Sequence, residues 1–155
     1  MAEFSPHSGI IKDGEHILPL RVYYEDTDAG GVVYYANYLK YMERGRSDML
    51  RKLGIDQGKM LEFLEPDDIK FVVIRSEVDY ISPAKLDDEI TVHSKLAKVG
   101  KASLIMEQEI RRSGETLAKG RIRAAALNED NRPVRLPEKI IEKINEKINL
   151  IKEQG

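Results

Sequence analysis

Cysteine is absent from the 155 residues. Disulfides, thiolate catalysis and cysteine-ligated metals are excluded with it. Histidine is scarce. His7, His16 and His93 form no His-x-His or His-x-x-x-His pair, so neither zinc nor another metal is expected. No apolar run approaches the roughly 18–20 residues of a membrane span. Met1 to His16 carries charges and no apolar core, so it does not read as a secretory signal, and the default location is cytoplasmic. A Gly-x-Ser-x-Gly elbow and a Walker-type Gly-Lys-Ser/Thr loop are both missing, which removes α/β-hydrolase and P-loop chemistry. An excess of one charge is lacking too: 25 Lys and Arg face 27 Asp and Glu, a net charge of −2. That balance argues against bulk binding of nucleic acid or anionic membrane, but leaves room for a small basic patch toward one phosphorylated ligand.

What is present is a globular composition, 41% hydrophobic and 34% charged, in a length that suits one domain. Residues 1–16 are polar and predict a loose N-terminal arm, leaving 17–155 as a single domain. Residues 17–25 read as a first strand, broken by Asp26-Thr27-Asp28-Ala29-Gly30-Gly31, where Asp and Gly favour a turn. A helix is predicted over 35–53, because Tyr34, Tyr38, Met42, Gly45, Met49 and Leu53 recur every three or four residues. Lys40, Glu43, Arg44, Asp48, Arg51 and Lys52 fall largely off that stripe. Gly45 lies on it, and an interior glycine costs a helix about 1 kcal/mol against alanine, which suggests close approach to a packed partner. A short helical turn is expected around Gln57–Leu64. Four segments of period two follow, Ile69–Ile81, Glu89–Ala97, Ala102–Arg111 and Leu117–Asn128, with Pro83, Gly100 and Ser113-Gly114 at the reversals. Pro137 opens a last amphipathic helix carrying Ile140, Ile141, Ile144, Ile148 and Ile151. The order strand, long helix, four strands, helix predicts an α+β fold: one five-stranded antiparallel sheet with the long helix on its face.

Six of the seven tyrosines lie between Tyr23 and Tyr41. In the same window carboxylates, paired glycines and a helix start are joined in one connection. A helix N-terminus offers unpaired N–H groups and the positive end of a dipole, which can polarise a carbonyl and hold an oxyanion. A carboxylate just upstream could meet that carbonyl as nucleophile or as base for water, and the glycines would let backbone approach a ligand closely. Taken alone, Asp28 serves equally as an Asx-turn or cap residue. Asp26 reads as turn-forming, Asn37 as a structural hydrogen-bonder, Tyr34, Tyr38 and Tyr41 as packing, and Glu43-Arg44 as a solvated face.

The pattern Asp26-x-Asp28-x-x-Gly31-x-Val33-x-Tyr35-x-Asn37-Tyr38, then Tyr41-x-Glu43-Arg44, resembles the hot-dog-fold acyl-CoA thioesterases of the 4-hydroxybenzoyl-CoA thioesterase family, and within it the Tol–Pal-associated branch. Tyr80-x-x-Pro83-Ala84-x-Leu86-Asp87-Asp88 fits the same branch. The resemblance covers about residues 19–137. It implies hydrolysis of a thioester to coenzyme A and a carboxylic acid, without metal or bound cofactor. It places Asp28 on the catalytic carboxylate and the Tyr35 amide on the carbonyl-polarising donor. Many members of that branch carry His where this chain has Tyr35, which removes an imidazole and keeps the backbone donor. Gly31, Val32 and Asn37 fall in the substrate-binding part of the motif, and Lys98, Lys101 and Arg121 are candidate partners for coenzyme A phosphates. The resemblance further implies a homodimer or homotetramer with the site between subunits, and acyl-CoA, or an acyl carrier protein, as the substrate's carrier. Two alternatives stand beside it: a hot-dog dehydratase or hydratase, which typically uses a His–Glu or His–Asp couple that the motif lacks, and a non-catalytic module binding acyl thioesters or an envelope partner.

Overall fold

The computed structural model describes residues 4–148. Its strands are β1 (Ile10–Lys12), β2 (Glu15–Arg21), β3 (Lys70–Tyr80), β4 (Glu89–Val99), β5 (Ser103–Arg112) and β6 (Glu115–Leu127). Helix α1 (Asn37–Lys52) separates β2 from β3, a short α2 (Gln57–Met60) follows it, and α3 (Glu138–Lys147) comes last. The sheet is antiparallel in the order β1-β2-β4-β5-β6-β3.

The sheet thus has six strands where five were expected, because part of the predicted loose arm is ordered. Asp13 and Gly14 both take positive φ and turn Ile10–Lys12 back onto Glu15–Ile17. The polar residues that made this arm look loose have a distant partner. Asp48 of α1, predicted off the apolar stripe, is buried and accepts hydrogen bonds from the Gly9 N–H (2.7 Å), Ser8 Oγ (2.8 Å), His16 Nε2 (2.7 Å) and Arg51 Nη1 (3.1 Å). Buried carboxylates persist when so surrounded by donors. The predicted strand 17–25 ends at Arg21, and Tyr24–Asp26 form a 3-10 turn instead. Ile148 closes α3, and Ile151 lies outside the described residues.

The inward faces of β4 and β5 follow the predicted alternation, whereas in β3 a bulge between Val73 and Arg75 interrupts it and the strand is largely exposed. Ile90, Val92, Ser94 and Leu96 of β4, and Leu104, Met106, Gln108 and Ile110 of β5, are buried beneath α1 and the segments beside it. Gly45 does what its place on the stripe suggested. A Cβ there would lie 2.6 Å from Val92 Cγ1, so the helix backbone sits almost on the sheet. Gln108 fills the remaining polar gap, donating to the Met42 carbonyl and to Ser94 Oγ, both at 2.8 Å. One apolar cluster around Met49, Leu53, Leu104 and Ile140 holds the far end of α1. A second, around Tyr41, Met42, Val92 and Ile122, holds the helix start and the loop that precedes it.

Candidate active site

Asp28 to Gly31 form a tight turn between two short extended limbs. Asp28 N–H donates to the Val32 carbonyl (2.9 Å), Gly31 N–H donates to the Asp28 carbonyl (3.0 Å), and Thr27 bridges Val33. Gly31 has φ +77°, the left-handed conformation that the last position of such a turn demands and that glycine adopts without penalty. Asp28 Oδ1 accepts the Gly30 N–H at 2.9 Å, an Asx-turn. Its Oδ2 makes no hydrogen bond among the described residues, and the residue is exposed. One carboxylate oxygen of Asp28 thus fixes the turn, and the other is left open to solvent.

The turn is docked on the β3–β4 connection. Val33 N–H donates to the Ala84 carbonyl (2.8 Å), Val32 bridges Lys85, and Leu86 N–H donates to the Gly31 carbonyl (3.2 Å). Tyr38, buried on the first turn of α1, accepts the Ala84 N–H on its hydroxyl at 2.9 Å. Gly31 and Val32, expected in the substrate-binding part of the motif, take part in the turn and its docking through their backbone.

At the entrance to α1 the chain makes one loose turn, with Asn37 N–H donating to the Tyr34 carbonyl (2.8 Å) and Tyr38 N–H to the Tyr35 carbonyl (3.2 Å). The N–H groups of Tyr35 and Ala36 meet no acceptor among the described residues. They are the orphan donors of a helix start, at the positive end of its dipole. Both residues lie within ten positions of Asp28 and on the same loop. The rings around them form a wall: Tyr34 to Tyr35 at 4.9 Å between centroids, Tyr35 to Tyr80 at 5.8 Å and Tyr80 to Tyr38 at 5.5 Å. Tyr38 and Tyr41 are buried as expected, whereas Tyr34, Tyr35 and Tyr80 are about half exposed.

Asp26 is buried and structural. Its Oδ2 accepts the Tyr23 N–H (2.8 Å), and its backbone carbonyl accepts both the Tyr34 N–H (3.0 Å) and Asn37 Nδ2 (2.7 Å). The Tyr41 hydroxyl, buried without a hydrogen-bond partner among the described residues, is pushed above its ordinary pKa first by burial and then by the Asp26 carboxylate, so it stays protonated.

Within one chain, the expected phosphate partners are not gathered at this turn. Lys98 stands at the end of β4 beside a bulge, and Lys101 in the β4–β5 turn, where its carbonyl accepts the Leu136 N–H. The Asp28 turn sits by the start of β4, so nine residues of strand, roughly 30 Å at about 3.3 Å per residue, separate it from Lys98. Arg121 lies on the sheet face away from α1, paired with Glu107 at 2.7 Å. The role of Asn37 as a pin between Asp26 and the helix start could not be read from spacing, since an asparagine beside a helix start has many partners open to it.

Comparison with known proteins bears on the family and the fold. The thioesterase superfamily model matches residues 30–119. The chain is 39% identical over 129 residues to the acyl-CoA thioesterase YbgC of Haemophilus influenzae, covering 83% of this chain and 93% of that protein. A probable thioesterase from Bartonella henselae superposes with a TM-score of 0.76 at 36% identity, over 79% of this chain and 99% of that one. A Thermus thermophilus thioesterase complexed with coenzyme A and zinc does so with a TM-score of 0.68 at 35% identity, over 84% and 93%. The expected hot-dog fold is thereby shown, and the chain belongs to the thioesterase superfamily.

Proposed function

We propose that this thioester hydrolase acts on acyl-CoA through Asp28 and the amide at the start of α1. The observation that carries the reading is the loop itself, which presents a carboxylate oxygen without a partner on one limb and unpaired helix-start amides on the other. The thioester carbonyl accepts from the Tyr35 N–H, which drains electron density from the carbon and stabilises the oxyanion formed on attack. Asp28 Oδ2 supplies the attack on that carbon, directly or by taking a proton from a water that attacks. The carbon–sulfur bond then breaks, and the electron pair leaves on the coenzyme A sulfur. In the direct route a mixed anhydride on Asp28 remains, and water cleaves it to the acid. The half-exposed tyrosine wall offers an apolar surface to the acyl group.

A homo-oligomer completes the reading. β3 is a free sheet edge of 11 residues, with Val72, Val73 and Ile74 exposed. A long apolar edge of this kind is an aggregation hazard unless paired. Antiparallel pairing with a second copy about a two-fold axis would set the Tyr80 end of one β3 beside the Lys70 end of the other. The second copy's Lys98 and Lys101 would then stand at the same end of the joined sheet as Asp28, in reach of coenzyme A phosphates that this chain's own lysines cannot meet. The cytoplasmic location expected of the chain, and the use of coenzyme A rather than acyl carrier protein, belong to the same proposal.

The test is release of free thiol from a panel of acyl-CoA esters of differing chain length and from aromatic acyl-CoA, with acyl carrier protein thioesters alongside. Turnover with release of thiol is expected. Retention of ligand without thiol would indicate a binding module instead. Ile74→Glu is expected to shift the mass in light scattering toward the monomer and to lower activity; an unchanged mass and rate would remove β3 as the joining edge.

A further inference from the structure

The proposed chemistry needs two groups on different limbs of one loop to keep a fixed separation, and the loop contains one side-chain bond that ties those limbs together. The Asp26 carbonyl, two residues before Asp28, accepts Asn37 Nδ2 at 2.7 Å, and Asn37 is two residues after Tyr35. The same carbonyl accepts the Tyr34 N–H at 3.0 Å. Its own position is fixed, because the Asp26 side chain is buried and holds the Tyr23 N–H at 2.8 Å. Asn37 itself is anchored at the first residue of α1, with its N–H on the Tyr34 carbonyl. Backbone bonds also join the limbs nearer the turn, from the Asp28 N–H to the Val32 carbonyl and at the Thr27–Val33 bridge, and the Asn37 side chain is the bond that extends the tie to α1 itself.

We infer that Asn37 is a positioning residue: by pinning the helix entrance to the Asp26 carbonyl it sets the distance between the Asp28 carboxylate and the Tyr35 amide. This rests on the reading of those two groups as the reacting pair. It also revises the expectation that Asn37 binds substrate. A side chain whose amide hydrogen is committed to the backbone acts on the geometry of the site, and its effect falls on kcat. A residue contacting substrate in the ground state would act on KM. Misplacement of a reacting group by about 1 Å can cost on the order of a hundredfold in rate.

The experiment measures kcat and KM for Asn37→Ala, Asn37→Ser and Asn37→Asp beside Asp28→Ala, with circular dichroism on each. Asn37→Ala removes the donor. Asn37→Ser offers a shorter donor and tests partial rescue. Asn37→Asp keeps the shape but sets an acceptor against a carbonyl oxygen. The expected result is a fall in kcat of about ten- to a hundredfold for Asn37→Ala, at least as large for Asn37→Asp and smaller for Asn37→Ser, with KM within about twofold of wild type. Wild-type kcat in any soluble, folded Asn37→Ala or Asn37→Asp variant overturns the inference, as does a loss carried by KM. The two levels separate cleanly. Full activity in Asp28→Ala defeats the reading of the site itself, whereas an inactive Asp28→Ala beside fully active Asn37 variants defeats only the role of Asn37.

Discussion

Gly45 offers a sharp physical test, because the sign of the effect is at stake. In a solvent-facing helix, replacing an interior glycine by alanine stabilises by about 1 kcal/mol. Here a Cβ would lie 2.6 Å from Val92 Cγ1, 3.0 Å from Ser94 Oγ and 3.2 Å from Gln108 Nε2. Carbon atoms pack without strain at roughly 3.5–4.0 Å, so α1 and the sheet must part by about 1 Å at this point. Overpacking of a filled core costs about 1–3 kcal/mol. The upper half of that range applies, because the opening also stretches the two 2.8 Å bonds of the buried Gln108 amide. Subtracting the gain in helix propensity leaves Gly45→Ala about 1–2 kcal/mol less stable than wild type. Urea denaturation followed by circular dichroism reads that difference. Val92→Ala removes the methyl that the new Cβ strikes, so the double variant should be more stable than the sum of its parts predicts, by at least about 0.5 kcal/mol. A Gly45→Ala protein as stable as wild type, or more so, would refute the close seating of the helix.

Acid should loosen the tie between the N-terminal hairpin and α1. Burial lowers the His16 pKa, an effect larger than the opposing bond to Asp48, so the unfolded chain takes up a proton that the folded one resists. Its contribution is complete above about pH 6.5 and declines as pH falls from there toward the folded pKa. Asp48 is driven up by burial but held below the ordinary carboxylate range by the Gly9 N–H, His16 and Ser8, so its contribution is lost lower, as pH falls below about 4 through its folded pKa. Urea midpoints measured from pH 7.5 to 5 should therefore fall in wild type and fall less in His16→Leu; a flat wild-type profile would contradict this. Asp48→Ala strands the buried Gly9 N–H and the His16 Nε2, and should cost about 3–5 kcal/mol, read by the same denaturation. Tyr38→Phe leaves the Ala84 N–H without an acceptor in a buried setting and should cost about 1–3 kcal/mol. Equality with wild type would mean that water replaces the hydroxyl.

Much of this could be read from residue order, because period and turn chemistry act locally. The stripe from Tyr38 to Leu53 becomes α1, and the alternation in β4 and β5 places Val92, Ser94, Met106 and Gln108 on the helix side. The Asp28 turn was legible for the same reason, since Asp followed by paired glycines is a local instruction. The hairpin over Ile10–Arg21 was not, because its polar residues are satisfied by Asp48, 32 residues beyond His16. The distance from Asp28 to Lys98 was equally hidden: sequence shows two lysines at a turn, and only strand order shows which end of the sheet that turn occupies.

The most direct measurement is steady-state hydrolysis of acyl-CoA by Asp28→Asn, which keeps the Asx acceptor for the Gly30 N–H while replacing the second carboxylate oxygen with an amide. The account predicts a protein folded as wild type by circular dichroism with kcat reduced by about a hundredfold or more. A folded Asp28→Asn that releases thiol at the wild-type rate would contradict it.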